Sequence, residues 1–94
     1  MSREDAWSVA GVIVPRAALV AGVTRCRLIG QSRAQGLVRA RRVAMIAMRS
    51  CGMSLPQIGE ALGGRDHTTV LHNLRVATGI ERAEADALAS LVRV

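Results

Sequence analysis

SLPQIGEALGGRDHTTVLH, residues 54–72, is the stretch that decides the fold. Ser54 followed by Gln57 has the spacing of a capping box: the hydroxyl accepts the N–H of the third helical residue, and the amide side chain reaches back. Pro56 is tolerated there, because N–H groups of a first turn have no helical partner to lose. The predicted helix carries Ile58, Ala61 and Leu62 inward and ends at Gly63-Gly64, where positive φ costs glycine little. Asp66 then caps a second predicted helix with Val70, Leu71, Leu74 and Ala77 inward. Two short capped helices around a tight glycine turn make a helix-turn-helix over about residues 54–78.

The rest of the chain reads outward from this motif. Gly52 ends a longer predicted helix, Leu37–Cys51, whose buried face is Val43, Ala44, Ala47, Met48 and Cys51 at three- and four-residue steps. Arg42 and Arg49, seven apart, share its opposite face, with Arg39 nearby. This stripe is all one sign with no acid to pair with, which favours a phosphate contact over a merely solvated face. Before it lies a polar connector, residues 31–36, containing Arg33, and before that a short helix capped by Thr24 and stopped at Gly30. Residues 1–5 are polar and expected to be loose. Trp7–Val14 is apolar, helical or extended. Pro15 fits a helix first turn, so Arg16–Ala21 is expected as a separate helix ended by Gly22. After Gly79, a last helix from about Glu81 to Val92 is expected to bury Ala87, Leu88 and Leu91. The expectation is one all-α domain over residues 1–94, a bundle of five to six helices.

Composition narrows the function. The net charge is +6, all thirteen basic residues are Arg, and there is no Lys. Without Lys the chain can build neither a P-loop nor a lysine Schiff base. No nucleotide or cofactor is expected. From Ala6 to Gly59 there are eight Arg and no acid. Such a basic stretch suits an anionic partner, nucleic acid before membrane, and Arg forks suit phosphate and guanine. The apolar N-terminal run is broken by Pro15 and Arg16, so neither a membrane span nor a signal peptide is expected. Cys26 and Cys51 lie far apart, which reads as two buried, reduced thiols in a cytoplasmic protein. Trp7 is the only aromatic residue, expected as a core anchor or a lid.

Catalysis and metal binding fit poorly. His67 and His72 are about 140° apart on a helix and lack clustered Cys or Glu, so no metal site is expected. Asp66, His67 and Thr68 are neighbours on one element, whereas a triad needs side chains that converge in space. In a helix-turn-helix the second helix instead enters the major groove with its N-terminal residues toward the base edges. Here those are Asp66, His67, Thr68 and Thr69. Threonine offers a hydroxyl and a methyl, and Asp66 can accept from a cytosine amino group. Asp66 as a cap alone is the competing reading.

Residues 54–72 closely resemble the signature of the C-terminal DNA-binding domain of the bacterial replication initiator DnaA, an all-helical domain similar to the Trp repressor. The resemblance extends back to Arg41-Arg42-Val43-Ala44-Met45 and, more weakly, to Gly22-Val23-Thr24 and to residues 28–33. It implies that Arg33 reaches the minor groove and that Pro56, Asp66, His67 and Thr68 lie at or near base edges in the major groove. It implies that Arg41, Arg49, Ser54, Thr69 and His72 hold the phosphate backbone, on a site like the DnaA box, TTATCCACA. Arg42 stands where that family commonly has Gln, adding a charge. Gln35 interrupts a connector that is otherwise more basic in the family, the loop at Gly52-Met53 is a residue shorter, and the region after Gly79 does not match.

The sequence starts at Met1 and has no room for the family's ATPase module, so a stand-alone domain is expected. The expected function is sequence-specific binding of double-stranded DNA, as a transcription regulator or a competitor of DnaA, without enzymatic activity. The alternative is a protein-interaction module using the apolar segment around Trp7. A homodimer or a protein partner is compatible with either.

Overall fold

The computed structural model describes residues 1–93 and consists there of six α-helices: α1 Arg3–Ala21, α2 Arg25–Ile29, α3 Gln35–Ser50, α4 Leu55–Ala61, α5 His67–Val76 and α6 Gly79–Ser90. Val94 lies outside the described residues. Among the described residues no helix is long and apolar enough to cross a membrane. α3 is the hub, packing against all five other helices. Its Val43–Met48 segment is buried on every side. α1 covers it with Val9, Ala10, Ile13, Val14, Ala17 and Ala18, and α6 with Ala85, Leu88 and Ala89. With no Phe or Tyr available, alanines on facing helices let the backbones approach. Met45, Met48 and Met53, each at most 1% exposed, fill what remains.

The caps explain the boundaries. The Ser54–Gln57 capping box forms in both directions, at 3.2 and 3.0 Å. The Thr24 hydroxyl accepts from Arg27 N at 3.1 Å. Gly22 ends α1 in the left-handed conformation (φ 72°), as expected.

The N-terminal half departs from the sequence reading. Residues 1–5 are not loose, because the Ser2 hydroxyl caps α1 by accepting from Asp5 N, and Gln57 Nε2 donates to the Met1 carbonyl. Trp7–Val14 and Arg16–Ala21 are one helix, with Pro15 in its interior rather than its first turn. Proline there removes the bond to the Gly11 carbonyl. Both residues lie on the exposed side, where water can take that bond. Trp7 is 47% exposed and borders α4, so it is a lid at most and not a core anchor. Cys26 is exposed and Cys51 half-buried; on α2 Leu28 takes the buried position, and Cys26, two residues earlier, lies about 200° round the helix from it.

The C-terminal helix also begins differently. Gly79 starts α6 instead of ending α5, because Thr78 and Glu81 form a second capping box at 3.1 and 2.9 Å. The buried face is accordingly Glu81, Ala85, Leu88 and Ala89, while Ala87 and Leu91 are exposed. On α5 only Val70 is fully buried; Leu71 and Leu74, and Ala77 just after the helix, are half-buried.

The turn between α4 and α5 is tight. Gly63 and Gly64 have φ of 83° and 84°. A Cβ on Gly63 would lie 2.4 Å from the Ile29 carbonyl oxygen, whereas one on Gly64 would meet nothing within 4 Å. Gly64→Ala should therefore cost only the backbone strain, about 1–2 kcal/mol. Gly63→Ala should cost that plus an overpacking penalty of about 1–3 kcal/mol. Urea denaturation of both variants checks this; equal losses would mean that the turn does not pack closely on α2.

Candidate nucleic-acid interface

The exposed end of α5 is built by its cap. Asp66 Oδ1 accepts from the backbone N–H of Thr68 at 2.9 Å and from its hydroxyl at 3.0 Å. These bonds, with His67 Nδ1 at 3.3 Å, hold the Asp66 carboxyl below the usual aspartate range, the Thr68 backbone N–H contributing most. Asp66 touches both His67 and Thr68 because it precedes the helix and folds back over its first turn, but among the described residues no hydrogen bond joins His67 to Thr68, as a triad would need. All three are exposed, and Asp66 and His67 line an open concavity. Pro56 lines the same shallow concavity as Asp66 and His67, next to Glu60. Thr69 and His72 are also exposed, and Ser54 is half-buried. Among the described residues no group of His, Cys, Asp or Glu could hold a metal ion.

The arginines divide into two kinds. Arg33 lies exposed on the connector between α2 and α3. Arg49 is exposed on α3, with one nitrogen donating to the Met53 carbonyl at 2.9 Å. Arg41 departs from the expected phosphate contact. It is 5% exposed, and its guanidinium donates to the carbonyls of Leu28 and Ser32, both at 2.5 Å, and of Gly30 at 3.0 Å. The α3 stripe is not free of acid partners either, because α6 supplies them from beyond the motif. Arg39 pairs with Glu84 at 2.6 Å, and Arg42 with Glu81 at 3.2 Å. Arg42 also donates to the Asn73 side chain at 3.1 Å, tying α3 to α5, and keeps 21% of its side chain exposed.

Arg65 was not singled out by sequence reasoning. It lies inside the signature, but nothing in the sequence says where its guanidinium goes. That group turns back under the motif and donates to Gly30 O at 2.6 Å, to Ile29 O at 3.1 Å and to Leu62 O. Burial lowers the pKa of Arg65, and burial together with the Arg65 charge lowers that of Arg41. Glu81 was also missed as a site-building residue, although Thr78-x-x-Glu81 is a recognisable capping box.

A capped second helix displays short polar side chains at its exposed start, and a connector arginine stands apart from it. This arrangement coincides with a sequence match: residues 13–76 fit the profile of the bacterial dnaA protein helix-turn-helix. The chain belongs to the bacterial DnaA helix-turn-helix family. Relatives include the chromosomal replication initiator protein DnaA of Xanthobacter autotrophicus, 42% identical over 73 residues that cover 77% of this chain and 14% of the relative. That of Rhodopseudomonas palustris strain BisA53 is 43% identical over 75 residues, covering 76% and 16%. That of Thermomicrobium roseum is 42% identical over 77 residues, covering 77% and 17%. The chain thus spans less than a fifth of the length of these DnaA proteins. Membership in this helix-turn-helix family supports DNA binding by the domain.

The acid side of the pH profile tests the ion pair behind α5. The Glu81 carboxylate is held below the ordinary glutamate range, chiefly by the Thr78 backbone N–H and also by Arg42, against the opposing effect of burial. A folded pKa below the unfolded one adds stability that is present above the unfolded value and is lost as pH falls through the folded value. Wild-type stability in urea should therefore fall over the acid interval that begins near the ordinary glutamate pKa of about 4.3. Glu81→Gln should be less stable at pH 7 and show a flatter decline over that interval. An unchanged slope would assign the acid lability to other carboxylates.

Proposed function

We propose that this chain binds double-stranded DNA sequence-specifically at DnaA-box-like sites and acts as a transcription regulator or a competitor of DnaA, without enzymatic activity. The observation that carries this reading is the start of α5. Asp66, His67, Thr68 and Thr69 are exposed there, backed by the buried Val70, with Pro56 alongside. A major groove about 12 Å wide admits such a helix end-on. Asp66 spends Oδ1 on its cap and has no partner on Oδ2 among the described residues, so capping and acceptance from a base are compatible. Arg33, Arg49, Ser54, Thr69 and His72 would position the backbone, with Arg33 entering the minor groove. Arg42 contributes only what its pairing with Glu81 leaves, and Arg41 drops out of the set.

A second reading has its own support. Trp7, Val12, Leu19 and Val20 are all more than 40% exposed on α1; Val12 and Leu19, seven apart, share a side that suits a protein partner or a second copy, whereas Trp7 lies about 140° round the helix from Val12. Charge reversal at Arg33 and Arg49 would leave that function intact and abolish the first.

Fluorescence anisotropy across a salt series tests the leading reading. With Arg41 withdrawn and Arg39 and Arg42 paired, about three to four phosphates should be neutralised, giving a log–log salt slope of roughly −3 to −4. Thr68→Ala and His67→Ala should each erode discrimination between a DnaA-box duplex and a scrambled one by about 1–3 kcal/mol, while Arg49→Ala should weaken both duplexes alike. Equal losses on the two duplexes for all three variants would contradict the residue roles.

A further inference from the structure

We propose that Arg65 is a positioning residue for base readout: through the carbonyls at the end of α2 it sets where Arg33 stands relative to the first turn of α5. This rests on the DNA-binding reading above and adds a residue to it that touches no base. The two candidate contacts sit on separate pieces of chain. Arg33 is on a non-helical connector whose own side chains, Gln31 to Ala34, are exposed and contribute nothing to the core. Little local packing therefore fixes the position of Arg33.

Ala34 O accepts from Leu37 N and Val38 N at the start of α3, and Ser32 Oγ accepts from Ala34 N; the ties on the α2 side are guanidinium bonds from two directions. Arg41 reaches from α3 to Leu28, Gly30 and Ser32, the last adjoining Arg33 in the chain. Arg65 reaches from the α4–α5 turn to Ile29 and Gly30. Gly30 O accepts from both arginines. Arg65 is followed directly by Asp66, the cap of α5, so one peptide unit joins the clamp to the readout turn. Its backbone is pinned as well: Arg65 N donates to Gly59 O at 2.9 Å, and a Cβ on Gly59 would lie 2.0 Å from Arg65 O. Gly63 allows the approach, since any side chain there would strike Ile29 O. A planar fork can address Leu62, Ile29 and Gly30 together, whereas an ammonium point charge cannot hold the same fixed geometry.

The experiment is an affinity series with Arg65→Lys, Arg33→Ala and the double variant. The duplexes are a DnaA-box duplex, one scrambled only in the part facing Arg33, and one scrambled throughout. Wild type should prefer the intact box to the partly scrambled duplex by about tenfold. Arg65→Lys should bring that ratio close to one while leaving affinity for the fully scrambled duplex and the salt slope unchanged. The double variant should be no worse than Arg33→Ala alone. Additive losses, or an equal loss on all three duplexes, would overturn the proposal. If Arg33→Ala itself loses no preference, the minor-groove reading of Arg33 fails first, and this inference with it. A measurement on the unaltered chain covers a variant that does not fold: amide order parameters of residues 31–34 should be about 0.85, like the helices, and values below about 0.6 would overturn the clamp.

Discussion

Two guanidinium groups drawn under the surface govern the layout of this small domain. Removing a charge from water is costly unless its donors are met. Arg41 and Arg65 meet theirs with carbonyls around the end of α2, which need donors because a helix C-terminus leaves its last carbonyls unpaired. Each hydrogen bond to a charged group contributes about 1.5–3 kcal/mol, and losing the donor would strand several part-buried acceptors at once. The two positive charges sit near one another, and the shared Gly30 carbonyl lies between them. The protein accepts that repulsion to tie three pieces of chain, α2, α3 and the α4–α5 turn, at one point.

The same economy shapes the rest of the bundle. A core of Ala, Val, Leu, Ile and Met offers little area per residue, so boundaries are set by caps and turns more than by bulk. Ser2, Thr24, Ser54, Asp66 and Thr78 each accept an N–H at a helix start. α6 has a double role: Ala85, Leu88 and Ala89 complete the core, and Glu81 neutralises Arg42, which in turn holds Asn73 on α5. The acidic C-terminal helix thus stabilises the placement of the basic face.

The helix-turn-helix was legible in the sequence because its signals are local: a capping box, two glycines and an Asp cap lie within a few residues of one another. The exposed polar start of α5 followed directly. What could not be read depends on pairs distant in the chain. Arg39 and Arg42 looked acid-free because their partners lie about forty residues later on α6. Arg41 was expected on phosphate and Arg65 had no expected role, because the carbonyls they serve carry no sequence signature. Pro15 suggested a helix start because its usual penalty was weighed without knowing that Gly11 faces water. Gly79 suggested a helix end because the Thr78–Glu81 capping box across it went unnoticed; that signal was available.

The most direct test of the account follows the backbone amides of the isotopically labelled chain during titration with a DnaA-box duplex. Arg33 and the Asp66–His72 turn should shift together, with one dissociation constant, while the amides of α6 stay in place. Shifts at the α5 turn with none at Arg33, or shifts centred on α1 around Trp7, would contradict it.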